Sequence, residues 1–261
     1  MKTNITSNSR LLLRTFYASL IATTALWAMP VNARAQLYAS EAQGFNTVAE
    51  YNPNTGALIN PSFIDVFTPA GLALSGNDLF VMFAGGAGYI GKFNATTGAT
   101  ISLPFINRVD LSFSIAVSHN ILFAADQFFG TIHTYNATTG ALINFNFITG
   151  LNQPGEMVFS EDPDSHELFL FVTNSGNNTV GKYDATTGAT IDASFITGLN
   201  APTGLALLGN TLFVANNTDI GVPGNTYIGK YNATTGATID ANFLTKLLNV
   251  AHMAVKNPKS R

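Results

Sequence analysis

A seven-residue motif that returns five times constrains the fold of this chain more than any other feature of its sequence. The motif has the form Tyr-Asn-Ala-Thr-Thr-Gly-Ala, with small departures, and its copies begin at Tyr51, Phe93, Tyr135, Tyr183 and Tyr231. The intervals between these copies are 42, 42, 48 and 48 residues. A period of this length is typical of repeat architectures, in which each repeat is one supersecondary unit. The chain is therefore predicted to contain five related units.

The motif itself predicts a tight hairpin turn. Asn or Asp at its second position can accept hydrogen bonds from backbone amides further along the turn, and Gly at its sixth position supplies the positive φ that a following bulge needs. The first copy has Pro53 at the second turn position, where a type I turn favours a φ of about −65°. We expect each copy to join two antiparallel strands.

Each unit also contains four short apolar runs that predict β-strands. In every copy an Ile follows the turn Gly by three positions and a Phe follows it by seven, namely Ile59, Ile101, Ile143, Ile191 and Ile239 with Phe63, Phe105, Phe147, Phe195 and Phe243. Further runs, such as Leu79 to Phe83, are short and rich in apolar and aromatic residues, which favours strands covered on both faces. Four antiparallel strands per unit, stacked through apolar faces, predict an all-β fold, a five-bladed β-propeller.

The two ends of the sequence predict how the ring closes. The region from Leu37 to Tyr51 supplies the second and third strands of a blade without a first strand, whereas His252 to Val255 corresponds to a first strand alone. Closing a ring removes the unpaired sheet edges that an open array would leave. We therefore expect the N- and C-terminal segments to pair in one shared blade.

The N-terminal region predicts a signal peptide. Lys2, Arg10 and Arg14 precede an apolar run over residues 16–29, and Ala33-Arg34-Ala35 offers small residues where a signal peptidase reads them. The apolar run is shorter than the roughly 20 residues that span a bilayer, which disfavours a membrane anchor. We expect residues 1–35 to be a signal peptide, residues 36–261 to be the propeller domain, and the protein to be secreted or periplasmic.

Composition excludes several classes of function. Without residues 1–35 the chain keeps 8 of its 12 basic residues and all 15 acidic ones, so its net charge is 8 − 15 = −7. The sequence has no basic stripe of the kind that binds nucleic acid. It also has no cysteine, which excludes disulfides, thiolate metal sites and thiol nucleophiles.

Two stretches resemble the NHL-type propeller repeats of bacterial exported proteins. Residues 202–216 read Pro-x-Gly-Leu-Ala-Leu and then Gly-Asn-x-Leu-Phe-Val-Ala-Asn, and residues 177–184 read Asn-Asn-Thr-Val-Gly-Lys-Tyr-Asp. The Asp-Ala-Thr-Thr-Gly turn also resembles that of quinoprotein-type repeats, without the tryptophan that usually follows there. The resemblance covers nearly all of residues 36–261 and implies a propeller fold. Such propellers include protein-binding platforms, lyases and lactone hydrolases.

Alignment of the five units predicts a ring of polar residues at the channel mouth. Because strand direction alternates within a blade, the start of each first strand and the end of each second strand lie on one face. Glycine is usual at the first-strand position, and Glu156 and His252 depart from it. With the polar residues at second-strand ends they form what we call the mouth ring, which comprises Glu41, Asp126, Glu156, Asn174, Asn216 and His252.

The mouth ring is the predicted ligand-binding site. Carboxylate and amide oxygens favour Ca²⁺ or a similar divalent cation, and the predicted metal ligands are Glu41, Asp126 and Glu156. The alternative is that these polar residues only solvate the rim of the channel. The first prediction for function is a binding module that contacts a protein or a small polar ligand through this face, with Ca²⁺ as the candidate cofactor and no assigned catalytic residue.

Two other functions stay open. The mouth ring is similar in kind to the metal site of gluconolactonase-type propellers, and its His with Glu resembles the streptogramin-lyase type. This resemblance implies a metal-dependent lactone hydrolase or lyase that uses Glu41, Asp126, Glu156 and His252. The remaining possibility is a purely structural surface protein.

Three further polar features are predicted to be structural. Lys92, Lys182 and Lys230 occupy equivalent positions, and we expect them at a solvated rim. His133 replaces a small residue of the third strand and is expected to be packed or on the surface. The acidic segment 162–167 stands where other units turn between their first two strands, which indicates an enlarged hairpin.

Overall fold

Five four-stranded antiparallel sheets make up the described part of the protein. The computed structural model describes residues 20–22, 37–41, 46–53, 55, 57–84, 88–107, 109, 112–162, 164–217 and 226–247. The sheets follow one another in a ring, so the predicted five-bladed β-propeller is confirmed. Over these residues no helix is long and apolar enough to cross a membrane.

Each blade contains four strands that pair in chain order. Blade 1 contains β1 (Leu20–Ala22), β2 (Leu37–Glu41), β3 (Thr47–Tyr51) and β4 (Leu58–Asp65). Blade 2 contains β5 (Pro69–Ser75), β6 (Asp78–Phe83), β7 (Tyr89–Asn94) and β8 (Thr100–Asn107). Blade 3 contains β9 (Ser112–Ser118), β10 (Ile121–Asp126), β11 (Thr131–Asn136) and β12 (Leu142–Ile148). Blade 4 contains β13 (Pro154–Glu161), β14 (Leu168–Asn174), β15 (Thr179–Asp184) and β16 (Thr190–Ile196). Blade 5 contains β17 (Pro202–Leu208), β18 (Thr211–Asn217), β19 (Thr226–Asn232) and β20 (Thr238–Leu247).

The repeated motif forms the turn between the third and fourth strands of a blade, as predicted. In blade 2 the Asn94 side chain accepts hydrogen bonds from the backbone amides of Thr96 and Thr97, each at 2.9 Å. Gly98 has a φ of +70°, and its amide donates to the Asn94 carbonyl at 2.8 Å. The side chain at the second motif position and the left-handed glycine therefore close the turn together.

Apolar residues of facing sheets form the core between blades. The described residues give four such clusters, at the junctions of blades 1 and 2, 2 and 3, 3 and 4, and 4 and 5. At the first junction Tyr38 and Ile64 of blade 1 pack with Leu72, Leu79 and Val81 of blade 2. Burial of each such side chain contributes about 1.5–3 kcal/mol to folding. Because the units are similar, equivalent residues recur at each of these junctions.

A second contact between blades explains why the motif Gly and the later Phe keep their spacing. The backbone carbonyl of the Phe in one blade abuts the motif Gly of the next, in the pairs Phe63 with Gly98, Phe105 with Gly140, Phe147 with Gly188 and Phe195 with Gly236. A Cβ at any of these glycines would overlap that carbonyl oxygen. The glycines therefore serve both the turn geometry and the close approach of neighbouring blades.

The inner strand of blade 1 differs from the prediction. We expected residues 252–255 to fill this position, but in the described residues β1 pairs antiparallel with β2, with Ile21 opposite Tyr38. β1 comes from the apolar run of the predicted signal peptide, and such a short apolar run satisfies the pattern of a buried strand as well as that of a leader. Residues 252–255 lie outside the described residues.

Candidate functional site

The described members of the mouth ring lie on one face of the propeller, as their alignment predicts. Asp126, Asn174 and Asn216 lie at or beside the ends of second strands, opposite Ser112, Pro154 and Pro202 on the inner strands. We call this side of the disc the mouth face. The three side chains are almost fully buried, with exposed fractions of 2%, 2% and 0%.

The two asparagines of the mouth ring hydrogen-bond to the backbone of their own blades. The Asn216 side-chain oxygen accepts from the Asn200 amide at 3.0 Å, and its nitrogen donates to the Val214 carbonyl at 3.2 Å. Asn174 makes the equivalent contacts with Asn152 and Val172, at 3.4 and 3.5 Å. These contacts tie the loop that enters each blade to its second strand. Burial with internal partners indicates a structural contribution from both amides.

Asp126 holds the turn between β10 and β11. Its Oδ1 accepts hydrogen bonds from the amides of Phe128 and Phe129 at 2.9 and 2.8 Å. Its Oδ2 lies 3.6 Å from Nε2 of His133. A carboxylate that caps the amides two and three residues ahead is an Asx-type turn, which fixes the conformation of the residues that follow.

His133 is packed inside blade 3. It is only 3% exposed, its ring stacks on Phe145 at 4.2 Å, and its Nδ1 donates to the Phe145 carbonyl. Its Nε2 lies 3.3 Å from the Thr131 hydroxyl, in addition to the contact with Asp126. Blades 2, 4 and 5 have Gly91, Gly181 and Gly229 at the equivalent position. Blade 3 thus has a buried imidazole beside Asp126 where blades 2, 4 and 5 have glycine.

The rest of the mouth ring is only partly described. Glu156 lies in β13, where the pairing with β14 shifts register, and is half-buried. Glu41 ends β2, but its side chain lies outside the described residues, as does His252. Within the described part of the chain, no group of three or more His, Asp and Glu side chains could hold a metal ion. The calcium site and the ligand-binding role of the ring stay predictions.

Exposed aromatic residues on the mouth face were missed by the sequence analysis. Phe128 and Phe129 are 73% and 61% exposed at the tip of the β10–β11 turn, with ring centroids 5.0 Å apart in a T-shaped arrangement. Phe67, in the loop between β4 and β5, is also 73% exposed. The equivalent turn of blade 4 is Ser175-Gly176-Asn177-Asn178, a composition usual for turns. Two consecutive Phe residues depart from this usual composition, and the departure can be recognised in the sequence as a sign of exposed aromatic rings.

The three equivalent lysines contact aromatic rings, and the prediction of a solvated rim is wrong for Lys92. This residue is 7% exposed, its Nζ lies 2.8 Å from the Asp78 carboxylate, and it donates to the Ala137 carbonyl of blade 3 at 3.1 Å. Lys182 lies over the ring of Phe169 at 3.9 Å, and Lys230 lies over that of Phe243 at 3.4 Å. Burial lowers the pKa of Lys182, and nearby carboxylates oppose this effect. These cations stabilise the face opposite the mouth.

A cavity of about 450 Å³ also lies on that opposite face, in blade 4. Its lining includes Glu167, Phe169, Lys182 and Asp184. The described residues of the adjacent segment, 162 and 164–167, lie in the turn between β13 and β14, in agreement with the enlarged hairpin predicted there. Charges of both signs line the cavity, and it lies away from the mouth ring.

Comparisons with known proteins find similarity in structure alone. No protein-family model matches the chain, and no curated protein matches it. A chain from the crystal structure of a nidogen/laminin complex is similar with a TM-score of 0.63 and 14% identity, over 84% of this chain and 80% of that one. The computationally designed Ika8 protein is similar with a TM-score of 0.52 and 16% identity, over 93% of this chain and 68% of that one. At these identities the likeness shows the β-propeller fold.

Proposed function

We propose that this protein is an exported binding module that recognises a protein partner through the mouth face of its propeller. The observation that carries the proposal is the Phe128–Phe129 pair, which is exposed to solvent although the turn beneath it is fixed by a buried carboxylate. Exposed aromatic rings on a rigid support are typical anchors of protein interfaces, because they bury a large area at low conformational cost. β-propellers commonly serve as binding modules.

The charge and the predicted leader support the same proposal. An acidic domain that follows a signal peptide is suited to a secreted or periplasmic location and not to nucleic acid binding. The resemblance to NHL-type repeats of bacterial exported proteins is consistent with this location. A protein partner accounts for the exposed aromatic pair better than a small polar ligand does, because two rings at a turn tip form a convex surface and not a pocket.

Photo-crosslinking in cells of the source organism tests the proposal. A photoreactive phenylalanine analogue at position 128 should give a discrete adduct with one partner protein. The matched control places the same analogue at Ile143, which is 54% exposed on the outer strand of the same blade. Adducts formed equally from both positions would indicate non-specific contact and would contradict the proposal.

The purified partner then allows a quantitative test. Replacing both Phe128 and Phe129 with Ala should weaken binding at least tenfold, because truncation of an interface anchor costs about 2 kcal/mol or more. Ile143→Ala should change the affinity less than twofold. Both rings are exposed, so the double variant should unfold at the wild-type denaturant concentration. Unchanged affinity in a folded double variant would refute the proposed contact surface.

A further inference from the structure

The junction between blades 5 and 1 is packed less closely than the other four in the described residues. Leu244 of blade 5 is 43% exposed, whereas the residues at its equivalent position in the other blades are 2–5% exposed, namely Ile64, Ile106, Ile148 and Ile196. Phe213 is partly exposed, whereas its equivalents in blades 2 to 4 are buried, namely Phe80, Phe123 and Phe171. The face of blade 5 toward blade 1 therefore exposes apolar side chains whose equivalents in the other blades are buried.

The facing side of blade 1 shows the same contrast. Leu37 is partly exposed, whereas its equivalents in the other blades are 0% exposed, namely Leu79, Leu122, Leu170 and Leu212. Tyr51 is also partly exposed, whereas the aromatic residues at its position are 1–5% exposed, namely Phe93, Tyr135, Tyr183 and Tyr231. Apolar side chains on both sides of the junction between blades 5 and 1 are thus more exposed than their equivalents at the other four junctions.

At the packed junctions, the inner strand of the following blade supplies residues that cover the preceding blade. Between blades 1 and 2 these residues are Leu72, which is buried, and Leu74, which is partly buried. In blade 1 the equivalent strand is β1, whose three residues pair with Leu37, Tyr38 and Ala39. In the part of the chain that the structure describes, β1 contains three residues, whereas the inner strands of the other blades contain seven or eight.

A second segment of the chain fits the same position. Each packed junction has an outer-strand residue equivalent to Leu244 in one blade and an inner-strand residue equivalent to Leu72 in the next. The sequence spacing between these two residues is 8, 9, 9 and 9 at the four packed junctions. Nine residues after Leu244 comes Met253, and Val255 follows at the position equivalent to Leu74. The segment therefore carries apolar residues at the spacing and alternation that a covering inner strand requires.

We propose that residues 252–255 replace β1 beside β2 when residues 1–35 are removed, and that this exchange buries the open junction. The occupant of the junction is then the segment 248–261, which directly follows β20. In the uncleaved chain β1 blocks the position, so the propeller would close with a full inner strand only after processing. The exchange couples removal of the predicted leader to completion of the fold.

Disulfide trapping tests the exchange directly, because the natural sequence has no cysteine. One variant carries Ala39→Cys with Leu20→Cys, and a second carries Ala39→Cys with Met253→Cys. The control pair is Leu72→Cys with Val81→Cys, which are opposite one another in blade 2. Each variant is the full chain with a protease site inserted between residues 35 and 36, so that cleavage follows folding.

The expected result is a change of cross-linking partner. The 20–39 pair should link in the intact chain, and the 253–39 pair should link at least tenfold faster after cleavage than before. The proposal is overturned if the 253–39 pair fails to link within one chain after cleavage while the 72–81 pair links, or if it links equally well before cleavage. A 253–39 link between two chains also overturns it, because a second copy would then be the occupant.

Hydrogen exchange on the chain without cysteines gives an independent readout if a variant fails to fold. Amides of residues 252–255 should exchange at least tenfold more slowly after cleavage than before it, because strand pairing protects them. Unchanged exchange at these amides would equally contradict the proposal.

Discussion

Replacing Gly140 with Ala separates the two roles assigned to the motif glycine. Gly140 has a φ of +73°, and a Cβ at this residue would lie 2.6 Å from the carbonyl oxygen of Phe105 in the preceding blade. Gly198 provides a matched control, because its φ is also +73° but a Cβ there would meet nothing within 4 Å. Both substitutions incur the left-handed penalty, and only Gly140→Ala incurs the clash.

The expected magnitudes follow from this difference. The left-handed conformation costs an Ala about 1 kcal/mol at either position. Real Cβ atoms essentially never approach another atom closer than 3.0 Å, so blades 2 and 3 must separate by at least 3.0 − 2.6 = 0.4 Å at this contact. Overpacking of this kind costs about 1–3 kcal/mol more. We therefore expect Gly140→Ala to destabilise the protein by about 2–4 kcal/mol and Gly198→Ala by about 1 kcal/mol.

Urea unfolding followed by circular dichroism measures both values. A difference of about 2 kcal/mol corresponds to about 4–8 °C in melting temperature for a domain of this size, so thermal unfolding provides a second readout. Equal destabilisation by the two substitutions would refute the close approach between blades. It would leave turn geometry as the sole reason for the glycine.

Three further predictions concern individual polar side chains. Tyr38→Phe removes the hydrogen bond that the buried hydroxyl donates to the Ala95 carbonyl and should cost about 1–2 kcal/mol at pH 7. Burial raises the pKa of Tyr38. The stability advantage of wild type over Tyr38→Phe should therefore be complete below about pH 10 and decline as the pH rises above it. An advantage that stays constant from pH 7 to 11 in urea titrations would contradict this. For Asp184, burial alone would raise the pKa of the carboxyl, but hydrogen bonds from two turn amides outweigh this effect and lower the pKa. Wild type should therefore be slightly more stable than Asp184→Asn above about pH 4. It should lose this advantage as the pH falls further. Asp126→Ala should lower the free energy of unfolding by about 1–3 kcal/mol, because two turn amides lose their acceptor. Asp126→Asn retains an acceptor and should destabilise the protein less. Equal melting temperatures for the two variants would contradict the assignment of Asp126 as the residue that holds this turn.

The sequence could predict the parts of the fold that depend on local chemistry. The Asn94 side chain and the positive φ of Gly98 act within one turn, so the motif alone contains the information for that turn. The number of blades follows from the number of copies. The source of the inner strand of blade 1 could not be predicted in this way, because two separate segments satisfy the same short apolar pattern.

The candidate site was harder to predict because its side chains choose partners that are distant in sequence. The alignment correctly places Asn174 and Asn216 on the mouth face, but it cannot show that the loop amides of Asn152 and Asn200 occupy their oxygens. Lys92 likewise contacts a carbonyl 45 residues away, in the next blade. Position in a repeat predicts which face a residue occupies, and packing decides whether its polar atoms remain available.

The departures of blade 3 from the repeat lie in one hairpin and depend on one another. His133 stands where three blades have glycine and contacts Asp126, and Asp126 in turn holds the turn that exposes Phe128 and Phe129. Coupled departures from a regular pattern indicate a functional requirement, since stability alone is met by the regular units.

Exchanging this hairpin for its counterpart in blade 4 tests that argument. Residues 126–133 and 174–181 have the same length and the same strand pairing. Gly130 is kept in the exchanged protein, because a Cβ there would lie 2.2 Å from the carbonyl oxygen of Leu151. The exchanged protein should retain the wild-type melting temperature within about 8 °C, because a change of up to about 2 kcal/mol corresponds to about 4–8 °C in a domain of this size. It should lose binding to the partner captured by position 128. Retention of binding would show that the blade 3 hairpin is not the recognition element, whereas unfolding would show that the imidazole and carboxylate serve the stability of the blade.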